Sequence, residues 1–345
     1  MFKRIIGKFF PGAQQYKVSS ARTQKAVPAA NMNSSARDDL PIAPHDADFL
    51  NYLFGDSELK THTDPFSDFV SERVEQLLLT PKALLQELPV MPDSVTTLVA
   101  ELQGDDFNVD ALLEVIEREP SMAAEVIKLA NSARYRRSER QVTDLKTAFM
   151  NMGAQGLIEG VIDAYVKKFT PKNNIYWRQF GDKIWQHSID TGLYAKALIK
   201  SSHAAADQAT AYFVGLIRNL GKMIIFQVMV EAFHHVDPNV PPNSMAFKKL
   251  INSYEIRLTY MIAKYWQLPD TVLKAIAYQA SSRYECTPLA LAVLEANYLS
   301  ELKCLLSSEI IDADEFERRC ENNLTTNSAL TMADYIKAEI LLELS

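Results

Sequence analysis

From residue 64 to its end, the chain repeats its apolar residues with a helical period almost without interruption. Leu, Ile, Val, Phe and Met recur at i, i+3, i+4 and i+7, while Pro, Gly, Asn and Asp gather between the periodic stretches. The pattern predicts helices over 67–79, 82–87, 92–103, 109–118, 121–133, 143–150, 154–168, 176–201, 208–218, 221–233, 244–266 (with a break near 254), 270–281, 288–305, 313–322 and 331–343. Pro120 and Pro269 stand where a first-turn proline is tolerated, Asn108 and Asp207 offer capping oxygens, and Gly104 and Gly153 fall just past predicted helix ends. No period-two run competes and no internal repeat is found, so the expected fold class is all-α.

The first ten residues, MFKRIIGKFF, place Phe2, Ile5, Ile6, Phe9 and Phe10 on one helical face and Lys3, Arg4 and Lys8 off it. Ten residues cannot cross a bilayer, but they suit its interface or a groove on a partner protein. The plainer reading is a tail without fixed structure, because isolated helices of this length are marginal in water. Pro11 and Gly12 end the pattern, and Ala, Ser, Asn, Gln and Pro dominate up to Pro44. Residues 1–63 are therefore read as a basic amphipathic segment followed by a flexible linker.

Composition narrows the function classes. The net charge of −7 is uneven: residues 1–37 hold seven Lys or Arg and no acid, leaving 29 basic against 43 acidic residues and a body of −14. Such a body argues against nucleic acid as a partner, since duplex binding relies on basic side chains neutralising phosphates. Cys286, Cys304 and Cys320 show neither a disulfide framework nor a zinc knuckle, and are read as small buried apolar residues. No run of eighteen apolar residues occurs and the start lacks a secretory signal, so the expected location is the cytoplasm, with peripheral contact at the inner membrane face through residues 1–10.

The stretch LIRNLGK at 216–222 resembles the helical metal motif HDxGK of the HD phosphohydrolases, with Arg218 in the place of the His and Asn219 in that of the Asp. A guanidinium carries only N–H donors and Asn a neutral carboxamide, whereas divalent ions need deprotonated N and O ligands. The surrounding blocks are LPVMPDSVTTLVAEL from 88, EREPSMAAEVIKLANSARY at 117–135, VTDLKTAFMNMG at 142–153, WQHS at 185–188 and WQLPDTVLKAIAYQ at 266–279. In this order they resemble the HDOD (HD-related output domain) family over about 85–283. The resemblance implies a bacterial signalling or regulatory protein and an all-helical domain of two packed subdomains, an N-terminal bundle over 64–169 and an HD-like bundle over 175–283. Residues 284–345 are expected to add a C-terminal helical extension, as an extra bundle or a homodimer surface. His187 matches the first HD ligand position, Glu255 falls near a position where many members carry a His, and Gln279 and Ala280 stand where members often read His-His. One surviving imidazole does not hold a divalent ion, so His187 is read as a buried, hydrogen-bonded histidine and no metal or other cofactor is expected.

Other candidate sites are weaker. Arg134, Arg136, Arg137 and Arg140 face only Glu139 in the loop SARYRRSERQ, the densest positive spot of the body, and offer contacts to an anion or an acidic partner. Arg136 and Arg140 also show the RxxxR spacing of PilZ-type cyclic di-GMP receptors, a pattern too common to be specific. His234, His235 and Asp237 are clustered in sequence, but adjacent helical residues diverge by about 100° and do not converge on one ion. Trp185 and Tyr194 fit core packing better than a stacking platform. The reading is a non-catalytic signalling protein that binds a protein partner, with a cyclic dinucleotide receptor as the alternative and a residual metal-dependent phosphohydrolase as the second.

Overall fold

Every described secondary-structure element is a helix. The structure, a computed structural model, describes residues 2–9, 44–55, 65–88, 113, 116, 120–137, 141–166, 180–202, 208–236, 245–281 and 283–344. Along the chain these give α1 (Lys3–Phe9), α2 (Pro44–Phe54), α3 (Pro65–Leu79), α4 (Lys82–Gln86), α5 (Pro120–Ala130), α6 (Leu145–Val166) and α7 (Asp182–Ser201). They continue with α8 (Gln208–Arg218), α9 (Leu220–Val236), α10 (Met245–Tyr265), α11 (Asp270–Ala280), α12 (Pro288–Ser307), α13 (Ala313–Asn323) and α14 (Asn327–Leu344). The predicted helix over 92–103, the capping residues Asn108 and Asp207, and Gly104 lie outside the described residues.

Most predicted boundaries agree with these elements to within a turn. Gly153 adopts φ 71°, a left-handed conformation that bends α6 at the predicted break. No break occurs near 254: α10 is helical from Met245 to Tyr265, and Tyr254 points sideways, its Oη donating to Glu75 Oε1 of α3 at 2.6 Å. The last helix starts one turn earlier than predicted, at Asn327.

α7 is the central rod, packed against α8 on one side and α12 on the other. Two glycines let α7 and α8 approach so closely. A methyl group on Gly215 would lie 2.7 Å from Gly192 Cα and 2.8 Å from the Thr191 carbonyl oxygen. α8 and α9 together (Gln208–His235) are long and apolar enough to cross a membrane, yet the apolar 18-residue window that meets this test is wholly buried inside the bundle. α10 packs on α9, α11 bridges α10 to α12, α5 pairs with α6, and α6 in turn rests on α8.

Two expectations about organisation need correction. Residues 44–55 are not flexible linker: α2 buries Phe49, Leu50, Leu53 and Phe54, with Phe54 packed on Phe226 and Phe247. The C-terminal end of α2 is closed by a buried lysine, Lys248, whose Nζ donates to Gly55 O at 2.6 Å and to Asn51 Oδ1 at 2.5 Å. Residues 284–344 are helical as expected but form no separate bundle, because α12 buries residues on several faces, apolar and polar, from Leu289 to Leu306, and packs extensively on α7. α13 and α14 then pack on α12, leaving Tyr335, Leu341, Leu342 and Leu344 exposed.

Candidate functional site

The segment that resembles HDxGK forms a tight corner between α8 and α9. Arg218 ends α8, Asn219 is the turn and α9 begins at Leu220. Thr259 of α10 fixes this corner, accepting from Gly221 N at 2.9 Å while its hydroxyl lies 3.1 Å from Arg218 O and 3.0 Å from Glu255 O. Gly221 is dictated by the same crossing: a Cβ there would run into the Glu255 carbonyl oxygen and sit 2.8 Å from Thr259 Oγ1.

Around the corner stands a buried set of polar side chains from four helices and from the turn. Arg218 Nη1 donates to Asn219 Oδ1 at 2.8 Å and to Glu255 Oε1 at 3.1 Å. Lys222 Nζ, with its side chain 3% exposed, lies 3.3 Å from Glu255 Oε2 and 3.9 Å from Glu301 Oε1. Asn219 Nδ2 donates to Asn297 Oδ1 at 3.2 Å, and Asn297 Nδ2 to Glu301 Oε1 at 2.9 Å. The Phe49 ring of α2 closes the set from outside, 4.9 Å from Lys222 Nζ and 4.7 Å from the His187 ring centroid.

His187 is fully buried on α7, with Nδ1 2.8 Å from Ser300 Oγ and Nε2 3.8 Å from Glu301 Oε1. Ser300 Oγ also donates to the His187 carbonyl oxygen at 3.2 Å, so this one hydroxyl ties α12 to both the ring and the backbone of His187. Burial holds its pKa well below the ordinary histidine value, and Lys222 and then Arg218 push the same way against Glu301. The imidazole is therefore neutral, and the two carboxylates are matched by two protein cations. Among the described residues, no group of three or more His, Cys, Asp or Glu side chains is arranged to hold a metal ion.

Several of these residues escape sequence reasoning. Lys222 belongs to the motif, but nothing in its sequence position marks it as buried. Asn297, Ser300 and Glu301 lie in the C-terminal extension, beyond the family resemblance, and Phe49 lies in the supposed linker. Gln279, where relatives often carry His, donates from Nε2 to Ala275 O at 3.1 Å and Ala290 O at 3.0 Å, tying α11 to α12.

The arginine loop does not stay together as a site. Arg134, exposed at the surface, reaches inward with Nη2 2.8 Å from Glu159 Oε2, a fully buried carboxylate that also receives Tyr135 Oη at 2.6 Å and Lys196 Nζ. Burial, first, and the Glu159 carboxylate raise the Tyr135 pKa, so its hydroxyl stays a donor. Asn131 spans the loop, donating to Val142 O at 2.8 Å and accepting from Val142 N at 2.8 Å, so the LANSARY block reads as a staple between α5 and α6. Arg136 and Arg137 are exposed, and Arg140 lies outside the described residues. His234 and His235 are exposed at the end of α9, and Asp237 is outside the described residues. Trp185 and Tyr194 pack against the core. Cys320 is buried and Cys304 partly so, but Cys286 is exposed in the turn before α12, against expectation.

At the N-terminus, Phe2, Ile5 and Ile6 are buried and α1 lies against α9, so the face predicted for a membrane or partner is covered by the chain itself. The side chain of Phe9 and the whole of Phe10 lie outside the described residues.

Comparison with known proteins agrees with the helical order. The family model described as "HDOD domain" matches residues 88–282, more than half of the chain. A crystal structure of an HDOD domain protein of unknown function from Geobacter sulfurreducens is similar at a TM-score of 0.52, with 19% identity, 77% of this chain and 98% of that one covered. A protein of Shewanella amazonensis SB2B, provisionally described as a phosphohydrolase, is similar at a TM-score of 0.51, with 20% identity, 79% of this chain and 98% of that one covered. An uncharacterized protein of Treponema pallidum (strain Nichols) is 21% identical over 249 residues, 70% of this chain and 45% of that protein, so the chain spans less than half of that relative's length. At these identities the solved structures bear on the fold alone.

Proposed function

The chain belongs to the HDOD family, and on that footing we propose that it is a regulatory signalling protein without catalytic activity, acting by binding another protein. The observation that carries this reading is the placement of Lys222 and Arg218. Their cationic groups stand 3.1 to 3.9 Å from the carboxylates of Glu255 and Glu301, the only acids of the buried set described above. A divalent ion needs those carboxylate lone pairs and would have to enter against two fixed positive charges. The donor set present does not fit a metal. Phe49 further supports the reading, since its buried ring lies directly against His187 and Lys222, where a phosphoester would have to approach.

The fold survives such a change because its packing does not depend on the ion, and a helical scaffold relieved of chemistry keeps its surfaces for recognition. The acidic body supports a protein and not nucleic acid as the partner. The three free thiols agree with a reducing cytoplasm. The cyclic dinucleotide alternative rests on Arg136 and Arg140, of which Arg136 is exposed and Arg140 lies outside the described residues, and Arg134 beside them is already paired with Glu159.

The pure full chain, incubated with Mn²⁺, Mg²⁺ or Fe²⁺, is expected to release no phosphate from nucleotides and to cleave no phosphodiester above background. Metal-dependent turnover that disappears in His187→Ala would overturn the proposal.

A further inference from the structure

α1 presents two faces suited to different surroundings. Phe2, Ile5 and Ile6 are buried at 0%, 4% and 1% exposure in its packing on α9, while Lys3, Arg4 and Lys8 face solvent. A helix of seven residues is too short to persist alone in water, so its helicity depends on the surface beneath it. The polar tie described between α1 and the body is modest: Arg4 Nε lies 3.0 Å from Glu87 Oε1, with the Arg4 side chain 78% exposed. A second surface meets the same demands. An anionic lipid interface takes up a short apolar face and attracts its flanking basic residues, and residues 1–37 hold seven Lys or Arg with no acid. The same three apolar side chains cannot lie on α9 and in lipid at once.

We propose that residues 2–9 exchange between their seat on α9 and an anionic lipid surface, so that the docked helix is the membrane-released state of the protein. This inference is independent of the catalytic silence proposed above. Glu87 is the residue that biases the exchange without belonging to the helix. Its backbone ends α4 through hydrogen bonds to Leu84 O and Leu85 O, and its side chain, 20% exposed, meets α1 at Arg4.

The full chain is to be sedimented with vesicles of phosphatidylcholine alone and of phosphatidylcholine with about 30% phosphatidylserine, which supplies the negative surface potential. Binding is expected only to the anionic vesicles. Glu87→Lys sets a positive charge against Arg4, and is expected to raise the binding constant on the order of fivefold, the scale of one exposed ion pair. Lys3→Glu with Lys8→Glu should abolish vesicle binding yet leave the hydrogen-exchange protection of the α1 amides in free protein unchanged, which separates loss of lipid affinity from loss of the fold. Equal binding by the wild type and Glu87→Lys, equal binding to neutral vesicles, or no sedimentation of either form would overturn the proposal, the last leaving α1 as a fixed element or a contact for protein.

Discussion

Replacing Lys222 by Met should be among the costliest single changes in the molecule, and its cost can be worked from the distances. The ammonium is 3% exposed and lies 3.3 Å from Glu255 Oε2 and 3.9 Å from Glu301 Oε1. At an effective dielectric of about 20, one such contact attracts by on the order of 5 kcal/mol, much of which is cancelled by the desolvation of both partners. What remains after removal is a buried carboxylate pair with only Arg218 to compensate it, a situation that costs about 3–5 kcal/mol. The ammonium's position 4.9 Å from the Phe49 ring adds a smaller loss, on the order of 1 kcal/mol. The urea midpoint of unfolding should fall accordingly, and Lys222→Met combined with Glu301→Gln should recover part of the loss. A second readout is independent of global stability: because Lys222 is the largest charge holding the His187 pKa down, the imidazole resonance of His187 in Lys222→Met should titrate at higher pH than in the wild type. A loss below about 1 kcal/mol, the scale of an exposed pair, with no movement of the His187 titration, would refute the buried charge network.

His187 makes the wild type acid-sensitive. Its folded pKa is depressed, so below about pH 6.5 the unfolded chain takes up a proton that the fold cannot, and stability should fall by up to about 1.4 kcal/mol per pH unit. His187→Gln should remove that slope between pH 6.5 and 5 in thermal or urea unfolding; an identical slope in both would show that the imidazole is not held neutral. Gly221→Ala must push α9 away from α10 at Glu255 and Thr259, and should cost at least 1–3 kcal/mol, with unchanged thermal stability counting against the close crossing. Phe49→Ala should cost about 3–5 kcal/mol in the same unfolding assay, since its ring is 2% exposed and covers His187 and Lys222; a loss typical of a surface site would place α2 outside the core.

What the sequence made legible was the part of the fold governed by local periodicity. Helical spacing found the long elements, and Gly153 and Pro120 punctuated them as expected. The buried, hydrogen-bonded role of His187 could also be read, because an imidazole on a mostly apolar helix face has to find a polar partner inside. The remainder depended on tertiary proximity. Glu301 is 79 residues from Lys222 along the chain, and nothing in the pattern of α12 marks it as facing that lysine rather than solvent. α2 was missed although its signals were present: Phe49, Leu50, Leu53 and Phe54 form an apolar stripe between Pro44 in the first turn and Gly55 at φ 81°. Composition of the preceding stretch outweighed them. Arg134 looked like a free anion ligand for the same reason, since Glu159 lies 25 residues on and one helix away.

The most direct measurement is a calorimetric titration of Mn²⁺ into the metal-free full chain, followed by elemental analysis of the titrated protein. With Lys222 and Arg218 already paired to Glu255 and Glu301, no saturable heat and no retained manganese are expected. Stoichiometric binding that is lost in His187→Ala would mean that this pocket still holds a metal, and that the chain is not the catalytically silent signalling protein proposed for it.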